Sequence, residues 1–125
     1  MRSVFADTVY WGALIARKDQ YHVAAASARE RLGFTRLVTT EEVLTEVLDS
    51  LAGLVRRAMS SKPVVVLPQS HESFLAGLRL YESRADKGYS LVDCISMQSM
   101  RREQIREVLT NDRHFQQEGF RCLLR

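Results

Sequence analysis

Four acidic residues stand at positions where a folded chain could gather them. Asp7 directly follows a short apolar run, Ser3-Val4-Phe5-Ala6, and Asp112 follows another, Arg106-Glu107-Val108-Leu109-Thr110, after Asn111. Asp93 lies in the first turn of an apolar helical segment, and Glu46 lies one turn into a different one. Carboxylates brought into one pocket repel each other and hold their protons unless a cation is present. An all-oxygen donor set suits a hard divalent ion, Mg²⁺ or Mn²⁺, whereas zinc favours Cys or His. His22, His71 and His114 show no metal-ligand spacing among themselves or with Cys94 and Cys122. No GxxxxGKS/T, GxGxxG or GxSxG motif occurs, so P-loop, dinucleotide-binding and serine-hydrolase chemistry have no support.

Each acid also has a structural reading. Asp7 and Asp112 are natural helix N-caps, and Asp93 completes a Ser90-x-x-Asp93 capping box that suits the helix dipole. Asp93 shares its helix side with Met97 and Met100 at i+4 and i+7, and an acid aligned with an apolar face needs a cation or hydrogen-bond donors. Glu46 competes with Glu41, Glu42 and Asp49. At about 100° per residue the apolar stripe of that helix centres about 70° past Val43, which puts Glu42 and Asp49 about 170° away on the solvated face. Glu46 lies about 130° from the centre, on the flank, where a side chain reaches a pocket edge. Glu41 flanks the other side at the helix entrance, so Glu46 is preferred.

The elements that must position these acids alternate between strand and helix. After the strand Ser3–Ala6, helical text runs from Val9 to about Lys18 and again from Gln20 to Leu32, closed by Gly33. A strand at Arg36–Thr39 leads through a Thr39-x-x-Glu42 capping box into a helix reaching Ser60, where Gly53 and Arg56-Arg57 suggest a bend or division. Pro63-Val64-Val65-Val66-Leu67-Pro68 reads as a buried or edge strand fenced by prolines. Phe74, Leu78 and Tyr81 mark the apolar face of the next helix, and Asp86-Lys87-Gly88 is a turn. The Ser90 box opens a helix to about Arg102. Arg106–Thr110 is a strand, and Phe120–Leu124 a last short one. Strands separated by helices predict an α/β fold, a three-layer α/β/α sandwich with a central, mainly parallel sheet. Ligands of such sheets bind beyond the carboxyl ends of the strands, where Asp7 and Asp112 fall.

The chain has 125 residues, 46% hydrophobic and 26% charged, which suits one globular domain over residues 1–125. Two cysteines are too few for a disulfide scaffold and read as buried thiols of a reducing compartment. The longest apolar run, Ala13 to Ala16, is far below the ~18 residues of a membrane span, so the expectation is a cytoplasmic protein without a membrane partner. Net charge is +3, a mild excess that permits a polyanionic partner.

Four phrases together resemble the PIN-domain ribonucleases, and most closely the VapC-type toxins of toxin–antitoxin pairs. They are Val4-Phe5-Ala6-Asp7-Thr8, Thr39 to Glu46, Tyr89 to Ser96, and Val108-Leu109-Thr110-Asn111-Asp112-Arg113-His114-Phe115. The resemblance covers essentially the whole chain. It implies an acidic pocket in which Asp7, Glu46, Asp93 and Asp112 are the catalytic and metal-binding residues, with Asp7 and Asp93 as direct ligands of one or two Mg²⁺ or Mn²⁺ ions. It implies endoribonuclease activity by a metal-activated water that leaves a 5′ phosphate. Its implied partners are RNA, a cognate antitoxin and a second copy in a homodimer. Asn111 departs slightly from the small or apolar residue usual before the fourth acid.

An acidic pocket repels RNA, so cations must draw the backbone in. Arg113 leads the candidates, with Thr8, Arg17 and Lys18 beside it and Arg56, Arg57, Lys62, Arg101 and Arg102 further off. Tyr10 and Trp11 are candidates either for stacking on a base or for core packing. Three other readings stand beside the toxin: an RNA-processing nuclease of the same fold, a catalytically silent binding module, and a receiver-like regulatory domain. The last is poor, because Asp7 stands alone after its strand and no Lys follows residue 87.

Overall fold

The structure, a computed structural model, describes residues 2–15, 18–33, 35–60 and 62–124, with the backbone alone for residues 15, 48–55, 57 and 58. The chain runs β1 (Ser3–Ala6), α1 (Thr8–Ile15), α2 (His22–Leu32), β2 (Arg36–Thr40), α3 (Glu41–Ser60), β3 (Val64–Leu67), α4 (His71–Ser83), α5 (Leu91–Arg102), β4 (Glu107–Leu109), α6 (Arg113–Gln117) and β5 (Arg121–Cys122). The five strands form one sheet in the order β3-β2-β1-β4-β5, and every pairing is parallel. This is the predicted α/β/α architecture. Val4, Phe5, Ala6, Val38, Val108 and Leu109 are buried, as parallel strands covered on both faces require. From β1 the chain winds outward through β2 to β3, then crosses back to β4 on the other side of β1. The reversal lies between β1 and β4, where sheets of this kind leave a crevice beyond the carboxyl ends of the strands, and Asp7 and Thr110 stand at those ends.

Several local expectations change. The predicted Thr39 cap is made one residue later: Thr40 Oγ1 accepts from Val43 N at 3.1 Å. Thr39 points the other way and donates its hydroxyl to the Ala6 carbonyl at 2.8 Å, because alternate strand residues face opposite sides of the sheet. The expected division at Gly53 does not occur, and α3 is one 20-residue helix. Tyr10 and Trp11 are core residues, stacked edge to face at 5.1 Å and at most 4% exposed, so neither can meet a base. The short helix α6 had no apolar period to reveal it, only the Asp112 cap.

The largest revision concerns α4. Phe74 and Tyr81, predicted to face the core, are exposed, while Ser73, Gly77 and Leu80 are buried. The cause is close approach to α5. A Cβ placed on Gly77 would lie 2.3 Å from Ile95 Cγ1 and 3.0 Å from the Ile95 backbone. Only the face with small residues allows this, so the bulky apolar face turns outward. Among the described residues no helix is long and apolar enough to cross a membrane.

Candidate active site

Asp7 ends β1 and opens α1, its carbonyl accepting from Tyr10 N and Trp11 N. The side chain is 4% exposed. Its Oδ2 accepts from the Thr110 hydroxyl at 3.0 Å. Burial pushes its carboxyl up to about 7; the backbone N–H of Thr8 and the Thr110 hydroxyl oppose this, and the charges of Asp93 and Glu46 add to it. Three of the predicted acids therefore share one electrostatic field.

Thr110 also accepts from Asp112 N at 3.2 Å. One hydroxyl thus ties the acid after β1 to the acid after β4. Thr8, in the first turn of α1, donates to Glu46 Oε1 at 2.7 Å and holds that exposed carboxylate toward the crevice. Asp93 is the N3 residue of α5, and the predicted capping box is present: Asp93 N donates to Ser90 Oγ at 3.0 Å and Ser90 N to Asp93 Oδ2 at 3.2 Å. Its carboxyl is also raised, chiefly by burial, with the Asp112 charge adding and the Ser90 bonds and His114 opposing. Asp112 caps α6, its Oδ1 accepting from His114 N at 2.9 Å.

His114 was not expected here. Its Nδ1 is buried, 3.2 Å from Asp112 Oδ1 and 3.8 Å from Asp93 Oδ2. Asp93, Asp112 and His114 each offer a ligand atom within 4.8 Å of the others, a group that could hold a metal ion. The signal in the sequence is its position two residues after a capping Asp, which is neither a His–His nor a His–Cys spacing.

The His114 ring packs on Tyr89 at 4.9 Å between centroids. The Tyr89 hydroxyl donates to Glu118 Oε2 at 3.0 Å, and Glu118 takes Arg84 Nε at 2.7 Å and Arg101 Nη2 at 3.0 Å. Burial would raise the Glu118 carboxyl, but the hydrogen bonds from Arg84, Arg101 and Tyr89 outweigh it and hold it at about 2. A depressed acid stabilises the fold above its unfolded value near pH 4.5, and that share is lost as pH falls toward 2. Glu118→Gln is expected to cost about 2 kcal/mol at pH 7 and little near pH 2, read by urea unfolding at both pH values. Equal losses at both would disprove the charged role.

Of the nominated RNA contacts, Arg113 and Lys18 are exposed, Thr8 is half-buried with its proton given to Glu46, and Arg17 lies outside the described residues. So does the Arg57 side chain. Cys94 and Cys122 are both buried thiols, as expected, and Cys122 Sγ donates to the Asp112 carbonyl at 3.5 Å.

A search of curated proteins finds no match to the chain. Among solved structures it is similar to the VapC20 toxin of Mycobacterium tuberculosis, described as cleaving the sarcin-ricin loop, with a TM-score of 0.87 and 23% identity over 94% of this chain and 95% of that one. That likeness concerns the fold. The family model for the PIN domain matches residues 4–120, from β1 through the loop before β5, and spans every acid of the crevice. The chain belongs to the PIN-domain family.

Proposed function

We propose that this protein is a divalent-metal-dependent endoribonuclease and the toxin of a toxin–antitoxin pair. The observation that carries the reading is the set of acids at the β1/β4 crevice, two of them raised in a way that a cation would relieve. The donor set, carboxylates with one imidazole beside them, fits a hard cation such as Mg²⁺ or Mn²⁺. In this reading Asp7 and Asp93 hold the ion, while Glu46 and Asp112 hold a second one or orient water. When bound, such an ion activates water and neutralises charge on a phosphodiester. The chain's own groups prepare that site. Thr110 ties the Asp7 carboxyl group to the Asp112 backbone, His114 N holds the Asp112 carboxylate, Thr8 aims Glu46, and Ser90 fixes Asp93. Arg113, exposed beside Asp112, receives the RNA backbone. The likeness to a toxin that cleaves an RNA loop supports RNA as substrate. An antitoxin, a homodimer and a cytoplasmic setting belong to the same reading.

The test is cleavage of a mixed RNA pool with Mg²⁺, with Mn²⁺, with EDTA, and by Asp93→Ala. Activity is expected to fall more than about 100-fold in EDTA and in the variant. Cleavage that persists in both would overturn the metal-carboxylate reading. No cleavage under any condition would favour a binding module. Co-purification with a small co-expressed protein separates a toxin from an RNA-processing nuclease.

A further inference from the structure

The sheet is electrically polarised. Its carboxyl ends lead to the acids, and its amino ends carry a cation at the start of every strand. In spatial order these are Lys62 before β3, Arg36 in β2, Arg2 before β1, Arg106 before β4 and Arg121 in β5. Backbone hydrogen bonds fix their adjacency: Arg36 N donates to Arg2 O at 3.0 Å, Arg121 N to Arg106 O at 2.8 Å, and Leu37 N to Pro63 O at 2.9 Å. At ~4.8 Å per strand the row is roughly 19 Å long. All five are exposed. Arg31 from the end of α2 joins Arg2 and Arg121 around a cleft of about 440 Å³, floored by Ala28, Leu32 and Leu123.

One acid, Glu107, enters the row. It accepts two bonds of 2.8 Å from Arg2 and lies 3.8 Å from Arg121 Nη1. Six cations against one acid exceed the whole net charge of +3, so this edge accounts for the basic character of the chain. Arg31, at a helix C-terminus, is favoured by the helix dipole. The strand-start cations are not, since a sheet has little net dipole, and like charges on neighbouring strands destabilise it.

We infer that this basic edge is a second RNA-binding surface, taking the phosphate backbone of a folded RNA whose cleaved segment lies at the opposite, acidic end. Arg36, Arg106 and Arg121 supply guanidinium groups and Lys62 an ammonium, while the Arg2 fork is held by Glu107; cations so spaced suit phosphodiester oxygens. The acidic crevice repels RNA, so binding strength has to come from a distance. The inference rests on the ribonuclease reading for its choice of polyanion.

The test is binding of a labelled RNA hairpin of about 30 nucleotides to the full chain in EDTA, across a salt series. Arg36→Gln/Arg121→Gln is compared with Arg79→Gln/Lys87→Gln, which removes equal charge from exposed positions elsewhere. The edge variant should bind at least about 10-fold more weakly and lower the salt slope by about 1.4–1.8, while the control should match the wild type. Arg36→Lys/Arg121→Lys should restore most of the affinity, which separates charge from misfolding. Equal losses in the edge and control variants would overturn the inference, reducing it to net charge. Unchanged RNA binding with loss of a co-expressed protein partner would overturn it in favour of an acidic peptide. If the wild type binds no RNA in EDTA, the inference falls, while the ribonuclease reading stands or falls by the separate cleavage assay in Mg²⁺ and Mn²⁺.

Discussion

Asp7→Asn is expected to leave the metal-free protein more stable than the wild type at pH 8 and to abolish RNA cleavage. Asp7 is almost wholly buried beside two other acids, and its carboxyl titrates at about 7. The unfolded chain releases this proton near pH 3.8. Between those values the folded state binds more protons than the unfolded one, so metal-free stability falls as pH rises from about 4 to 7 and then levels. Asn carries no charge and escapes that fall. The two stability curves should meet near pH 4 and part by on the order of 3 kcal/mol above pH 7. Urea unfolding in EDTA at pH 4, 6 and 8 reads the difference. Added Mn²⁺ should then stabilise the wild type by mass action and leave the variant nearly unmoved. A variant less stable than the wild type at pH 8 would show that Asp7 serves the fold rather than the site. The expected pattern is stability given up for a charged, cation-ready crevice.

Gly77→Ala should destabilise the protein by about 1–3 kcal/mol although alanine is the better helix former. Its propensity gain is about 1 kcal/mol. Against that stands a Cβ at 2.3 Å from Ile95 Cγ1 and 3.0 Å from the Ile95 Cα and N. The side chain can rotate, but the backbone of α5 cannot move away without loosening the helix pair. Ile95 lies two residues after Asp93, so the displacement is transmitted to the site and cleavage should fall as well. A lowered urea midpoint at unchanged slope is the expected readout. A midpoint equal to or above the wild type would mean that α4 and α5 are less tightly joined than the distances imply.

What the sequence disclosed follows from how local each signal was. The Ser90–Asp93 box is a bonding pattern four residues long, and it forms as read. β1 is an apolar run ending at an acid, and its bounds coincide with expectation. Glu46 stands on the flank of α3, as its helical angle predicts, exposed and held by Thr8. Failures came where a distant segment decides. Which face of α4 is buried depends on α5, which accepts the small residues and rejects Phe74 and Tyr81. The fate of Thr39 depends on the Ala6 carbonyl, 33 residues away. His114 needed the carboxyl end of β4 and the start of α5 to be side by side before its ring could face Asp93. Thr110 looked like the last residue of a strand until the sheet set it between two acids.

The outer position of β3 bears on how the protein behaves when made in quantity. Val64-Val65-Val66-Leu67 is a run of strong β-formers at the border of the sheet, the kind of segment on which another chain can add a strand and start an aggregate. Pro63 and Pro68 flank it, and neither ring nitrogen carries a hydrogen to donate. A foreign strand laid along this border finds a ladder only four residues long before it meets a ring without a donor. The same two residues that frame the strand within the fold therefore act as gatekeepers against polymerisation along this border.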